Sequence, residues 1–435
     1  MTVTRIRRMY RMTRRHRWLR RIVVMVVALG LAAGTAAEGQ PGNEDEGDDE
    51  FVRTLVGRLD LRQYKATIKG LTEFGDRRQG TARNRDAVDW IESRLQAVGC
   101  TNTERIVYTF DPAPRQQGAR GIGGTRPQLN PTGSTTTGGA VGRNGSGPGG
   151  SSIFGYRRRT GVVRDPLAQP DETLRALNLE EPTNGERSEV FCTKVGTTHP
   201  DEMYIIGAHM DGHGFGEAAN DDGSGTAIVL ELARIFSGSD VQTARSIRFA
   251  LWNNEETGLN GSTAYVEQRR ERQGLEDPTG SGRYPEPRWL GMIQHDMMLF
   301  DHGAPGPDGV VSRDQRREAD VNIEFQSNSD LVAESRDLAF LFKSANDAFA
   351  TDYPATVGPH MTNTDSTPFM NVTPSISLRE NERGMHIGAG WDPHWHQPTD
   401  LYTTFTDDDF RLGLNAAQTT LAAIAQLVDA VVAGR

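Results

Sequence analysis

The chain has 435 residues, enough to bury a full core as one large domain or two smaller ones. It carries 48 basic and 58 acidic residues, a formal net charge of −10, and two cysteines. That balance argues against a nucleic-acid partner, which needs a basic surface, and two cysteines are too few for a thiolate zinc site.

From Arg5 to Arg21 there are nine arginines and no acid, and Ile22 to Ala33 is an apolar run too short to span a bilayer. Thr35, Ala36 and Ala37 follow. This order predicts a secretory signal peptide over residues 1–37, cleaved after Ala37; the competing reading is an uncleaved anchor. No cysteine lies near the cleavage point, which disfavours a lipoprotein, and Arg14 and Arg15 leave a twin-arginine route open. Subtracting the nine arginines leaves 39 basic against 58 acidic residues, a mature charge near −19. The expected destination is the periplasm or the extracellular space, with no membrane attachment in the mature form.

Residues 38–50 are acidic and nearly free of apolar side chains, which predicts a solvated linker ahead of a folded domain over 51–435. Ala87, Trp90, Ile91, Leu95 and Val98 recur at helical spacing, with Gly99 as a stop signal. Residues 111–155 are rich in Gly, Pro, Ser, Thr and Arg without periodicity, an insertion read as a surface loop, with a lid as the alternative. Cys100 and Cys192 flank it and can pair in an oxidising compartment.

After the insertion the pattern alternates. Strands are expected at Val190–Val195, Met203–His209, Ser246–Trp252, Trp289–Asp296 and Pro374–Leu378. Helices are expected at Thr226–Phe236, Ser262–Arg272, Leu331–Phe349 and Asp408–Val432, the last capped by Thr406. This order predicts an α/β fold in three layers: a mostly parallel mixed sheet with helices on both faces.

Ligands gather beyond the carboxyl ends of such strands. One strand runs out into His209, Met210 and Asp211, a spacing that suits a metal ligand and the acid orienting it, although a lone strand-end histidine is more often structural. Next come Asn220, Asp221, Asp222 and Gly223 before an apolar helix. One acid suffices as a cap, so a second can bridge two cations. The strand ending at Trp252 breaks into Asn253, Asn254, Glu255 and Glu256; paired carboxylates at a buried strand end repel unless cations compensate them. Metal chemistry gives them separate tasks, one coordinating and one taking the proton of a bound water. Asp296 ends the next strand as a terminal ligand, and His394 and His396 compete in the loop before the last helix.

The segments GAHMDGHG, ANDDGSGTA, LWNNEETGLNGS, QHDM and HQPTDLY resemble, in order, the site segments of the two-zinc secreted aminopeptidases, a family that also contains glutamate carboxypeptidases. The resemblance runs from about Met203 to the C-terminus. It implies two Zn2+ ions, with His209 and Asp296 on one, Glu256 and His396 on the other, and Asp221 bridging both. Glu255 is then the general base and Asp211 the acid orienting His209. His396 is preferred to His394 because the family places an Asp four residues after its ligand, as Asp400 stands here. A cis Asp221–Asp222 peptide is also implied. Ser366 departs from the family, which commonly has a histidine there. His213, His302, His360 and His386 match no role and are read as solvated or structural.

The activity implied is that of an exopeptidase, an aminopeptidase acting on peptide or protein N-termini through a hydroxide shared by the two zincs. A carboxypeptidase of the same family is the alternative. A single-zinc glutaminyl cyclase is disfavoured because ligands for two metals are present, and a non-catalytic receptor is disfavoured because none of the matched positions is lost.

Overall fold

The computed structural model describes residues 44–111, 162–303, 310–360, 364–380 and 392–433. The expected signal peptide and nearly all of the glycine-rich insertion lie outside these residues. By its internal contacts the chain divides into residues 1–47 and residues 48–435, and the second unit holds every strand among the described residues.

Three helices come first: α1 (Glu44–Val56), α2 (Leu61–Thr72) and α3 (Ala82–Ala97). Helix α1 starts inside the acidic stretch read as linker, and Val52, Leu55 and Val56 anchor it in the core. After β1 (Glu104–Phe110) and α4 (Glu172–Asn178) come β2 (Gly185–Lys194), β3 (His199–His209) and α5 (Gly223–Phe236). Next in the chain are β4 (Val241–Gln242), β5 (Arg245–Trp252), α6 (Asn260–Arg269), β6 (Arg288–His295), β7 (Val321–Gln326) and α7 (Val332–Phe349). The described chain closes with β8 (Ala355–His360), β9 (Ser375–Arg379), α8 (Asp407–Leu427) and β10 (Val431–Val432).

Eight strands form one mixed sheet in the order β1-β2-β5-β3-β6-β9-β7-β8. Its centre, β5-β3-β6-β9, is parallel, while β1, β2 and β7 bring antiparallel pairings. Successive side chains of a strand point to opposite faces, and the two cores show it. Tyr204, Ile206 and Ala208 of β3 join one core with Ile247, Phe249 and Leu251 of β5 and residues of α2, α5 and α8. Met203 and Ile205 join the other with Ala250, Trp252, Tyr265 of α6 and Trp289. The expected layering, helices on both faces of a mixed sheet, is what is found.

The last helix is shorter than its pattern predicts. It ends at Leu427, Asp429 takes a left-handed φ of 48°, and the β-branched Val431 and Val432 pair antiparallel with β4. Its start is as expected: Thr406 and Asp409 form a reciprocal capping box.

Cys100 and Cys192 form a disulfide joining the segment after α3 to β2 across 92 residues of chain. Closing so long a loop restricts the unfolded chain by about 4–5 kcal/mol in the chain-entropy picture. The C100A/C192A variant is therefore expected to lose stability on that scale in urea denaturation, and a loss below ~1 kcal/mol would contradict the disulfide's role as a staple.

Candidate metal centre

Strand register decides which loops meet. His209 lies opposite Trp252 of β5, and Ala208 lies opposite His295 of β6. His209, the turn after Trp252 and Asp296 therefore emerge together at the carboxyl rim of three adjacent strands, the ordinary ligand edge of a parallel sheet.

Two clusters form there. In the first, His209 Nε2 lies 3.3 Å from Asp221 Oδ1 and 3.9 Å from Asp296 Oδ1. In the second, Glu256 Oε2 lies 2.9 Å from His396 Nε2 and 3.0 Å from His213 Nε2. Asp221 joins them, because its other oxygen, Oδ2, is 3.1 Å from His396 Nε2. The five sequence-derived candidates His209, Asp221, Glu256, Asp296 and His396 thus converge. His394 does not; its ring meets Thr399 Oγ1 at 2.8 Å and packs edge-on against Phe300 and Phe405.

The backbone reaches this arrangement through unusual conformations. Asn254 and Met297, beside the strand ends, have φ of 63° and 61°, and His396 has 58°. Left-handed backbone at non-glycine residues persists only where the surroundings over-determine it. The Asp221–Asp222 peptide is cis, as the resemblance implies.

The adjacent acids divide their work. Asp222 is the cap of α5: Oδ1 accepts the N–H of Gly225 (2.9 Å) and of Met297 (3.2 Å), and Oδ2 accepts that of His209 (3.1 Å). It thereby ties the end of β3, the first turn of α5 and the segment after β6 together and leaves Asp221 to face the imidazoles. Asp400 accepts the N–H groups of Asn220 (2.8 Å) and Asp221 (3.1 Å), fixing the bridging position from the far loop. Burial nevertheless pushes both the Asp222 and the Asp400 carboxyls well above the usual range. Asp211 faces the His209 ring with its carbonyl 2.9 Å and its carboxylate 3.9 Å from Nδ1, and the Glu255 N–H donates to its Oδ1 at 3.0 Å.

Electrostatics separates the two glutamates. Burial raises Glu255 well above the carboxylate range, opposed by His209 and reinforced by Glu256. Glu256 is also penalised by burial, but His213 and His396 outweigh that and hold it down to about 2. Burial works against the charged form of His396 too, yet Glu256 and Asp221 raise it to about 9.

The donor set fits divalent cations. Asp221 Oδ2, Glu256 Oε1 and His213 Nε2 are buried without a properly directed hydrogen bond. Four donors placed 2.0–2.1 Å from a tetrahedral zinc stand about 3.3 Å apart. The separations of 2.9–3.3 Å around Asp221 and Glu256 lie close to that edge.

Two participants carried weak signals in the sequence. His213 stands four residues after His209 among glycines, and it lies in the second cluster rather than in solvent. Arg379 ends β9, and its Nη2 donates to Asp296 Oδ2 at 2.6 Å; an arginine closing an apolar strand inside the sheet was the only hint. Ser366, where the family commonly has histidine, is buried and bonds Ser377 Oγ at 2.8 Å.

Residues 190–419, more than half of the chain, match the model of peptidase family M28. In curated sequence the chain is 34% identical over 126 residues to aminopeptidase YwaD of Bacillus subtilis, spanning 28% of this chain and 26% of that protein. An aminopeptidase of Pseudomonas aeruginosa is 30% identical over 149 residues, covering 34% of this chain and 27% of its own length. The chain thus spans about a quarter of the length of these relatives. Among solved structures, an aminopeptidase from Aneurinibacillus sp. strain AM-1 aligns with a TM-score of 0.54 at 18% identity, over 86% of this chain and 95% of that one. That likeness shows a shared fold. Sheet, rim and family match together define a protein of a peptidase family with a candidate metal centre at the sheet's carboxyl rim. More particularly, the chain belongs to peptidase family M28.

Arg379 is a buried cation against a buried carboxylate, and removing one partner of such a pair typically costs ~3–5 kcal/mol. R379M is expected to lose that much stability in urea denaturation with a chelator present; a loss within ~1 kcal/mol would mean that Arg379 does not balance the rim charge.

Proposed function

We propose that the protein is an exported two-zinc aminopeptidase, releasing residues from the N-termini of peptides or proteins. The observation that carries this reading is the position of Asp221, whose two carboxylate oxygens face histidines of two separate clusters at 3.3 and 3.1 Å. A carboxylate so divided suits a bridge between two cations.

In this reading His209, Asp296 and Asp221 would hold one zinc, and Glu256, His396 and Asp221 would hold the other. When bound, zinc supplies a Lewis acid that lowers the pKa of water and stabilises developing negative charge. The chain's own part is to position and to move a proton. Glu255, held near Asp211 through its backbone N–H, takes the proton of the attacking water and delivers it to the leaving amine. Its buried setting, which raises its affinity for a proton, suits that shuttle once cations balance the neighbouring carboxylates. Asp211 couples the two tasks by facing the His209 ring while fixing Glu255. A rim so rich in carboxylates suits an N-terminal ammonium.

Export is supported by the Cys100–Cys192 disulfide, a bond that persists in oxidising compartments, and by the leader pattern of residues 1–37. Among the described residues no helix is long and apolar enough to cross a membrane.

E255Q is expected to keep its bound zinc and fold while kcat falls by at least ~100-fold, the usual scale for a lost general base. Substantial turnover in that variant would remove Glu255 from the role. The specificity is tested with dipeptides left free or blocked at either end. Hydrolysis that needs a free N-terminus supports the aminopeptidase, whereas hydrolysis that needs a free C-terminus would replace it with a carboxypeptidase.

A further inference from the structure

We infer that His213 is a sixth protein ligand of the centre and makes its two cation positions unequal. This rests on the two-metal reading above and goes beyond it. The position among His213, His396, Glu256 and Asp221 is closed by four protein donors. Among the described residues, the one among His209, Asp296 and Asp221 has three, which leaves a place for water or substrate.

The side-chain geometry supports ligation over a simple hydrogen bond. His213 Nε2 is 3.0 Å from Glu256 Oε2, close enough for a bond, yet it is buried and no hydrogen bond of proper direction reaches it. Glu256 Oε1 is in the same condition. The His213 and His396 rings stand 4.1 Å apart at 88°, so their nitrogens converge on the Glu256 oxygen from two sides. Nitrogens and oxygens brought this close without good alignment are disposed as donors around a shared cation would be.

The backbone is built to hold His213 there. Gly214, with φ of 103°, lies so close to His396 that a Cβ would stand 2.5 Å from its carbonyl carbon and oxygen. A Cβ on Gly216 would stand 2.7 Å from the Gln397 carbonyl oxygen. The two loops can therefore meet only with glycine at both positions. Gln169 then clamps them, its Nε2 donating to the carbonyls of Phe215 (2.8 Å) and Pro398 (2.9 Å). From below, the buried Arg77 guanidinium donates to the carbonyls of Met210 (2.7 Å), Glu217 (2.9 Å) and Ala218 (2.7 Å), gripping both ends of the loop. A histidine on a loop fixed at both ends is presented with little entropy left to lose, which favours metal binding.

Four protein donors complete a tetrahedral zinc, whereas three leave a position open. The closed position should accordingly hold zinc more tightly, and the open one should exchange it.

The test is titration of metal-stripped protein with zinc against a chromophoric chelator. Wild type should show one tight and one weaker step. H213A should weaken the tight step by at least ~100-fold, since even partners outside the coordination sphere cost 10–100-fold, and should leave the weaker step in place. Two unchanged steps in H213A would overturn the proposal and leave the two-zinc reading standing. Absence of zinc binding in wild type would overturn both. Should H213A fail to fold, zinc-loaded crystals of wild type decide: His213 Nε2 about 2.1 Å from an anomalous zinc peak supports ligation, and a ring outside bonding range overturns it.

Discussion

Negative charge packed at the carboxyl rim of three strands is the constraint around which this molecule is organised. Asp211, Asp221, Asp222, Asp296 and Asp400 are all buried there, with Glu255 and Glu256 beside them. An ionised carboxylate taken out of water costs several kcal/mol unless its oxygens find partners. The partners sort the carboxylates by role. Asp222 and Asp400 are met by backbone N–H groups and serve the architecture. Asp296 is shared between Arg379 and the His209 side of the centre. Asp221 and Glu256 face imidazoles with buried oxygens that accept no well-aimed hydrogen bond, and these are the oxygens that suit cations.

The rest of the fold supplies rigidity to that rim. Parallel register sets the strand ends, and Asp222 links the loops that leave them. Arg77 and Gln169 lie outside the centre and contact main-chain carbonyls of the loops that bear its residues. Both are buried, so the loops that bear the second cluster are positioned through their backbone as well as through their own side chains.

The elements that carry the centre were legible because hydrophobic period and abrupt polar breaks coincide in them. Strand β3 ends in His209, and the glutamate pair and Asp296 follow just beyond the ends of β5 and β6, so each apolar run stops beside the residue that matters. Two strands outside the parallel centre were not legible. In β1, Val107 is exposed and the only two charged residues, Glu104 and Arg105, sit together at its start, so no clean alternation marks it, and β7 places Asn322 and Glu324 among its apolar residues; both owe their pairing to neighbours. Helix α2 escaped notice for a similar reason, since Tyr64, Ile68 and Leu71 form only a narrow apolar stripe between polar residues. Within the centre, His213 was invisible because its meaning lies in a contact with His396, far along the chain, made through two glycines. Arg379 required knowing that β9 lies beside β6. Spacing along a chain reports on a residue's own element, whereas these two roles arise between elements.

The most direct test of the two-cation account is thermal unfolding of metal-stripped protein as zinc is added in sub-stoichiometric steps. A ligand that binds the native state alone raises Tm until its sites fill. The account predicts a rise that continues to two equivalents of zinc per chain and then slows. A Tm indifferent to zinc, or one saturating at a single equivalent, would contradict it.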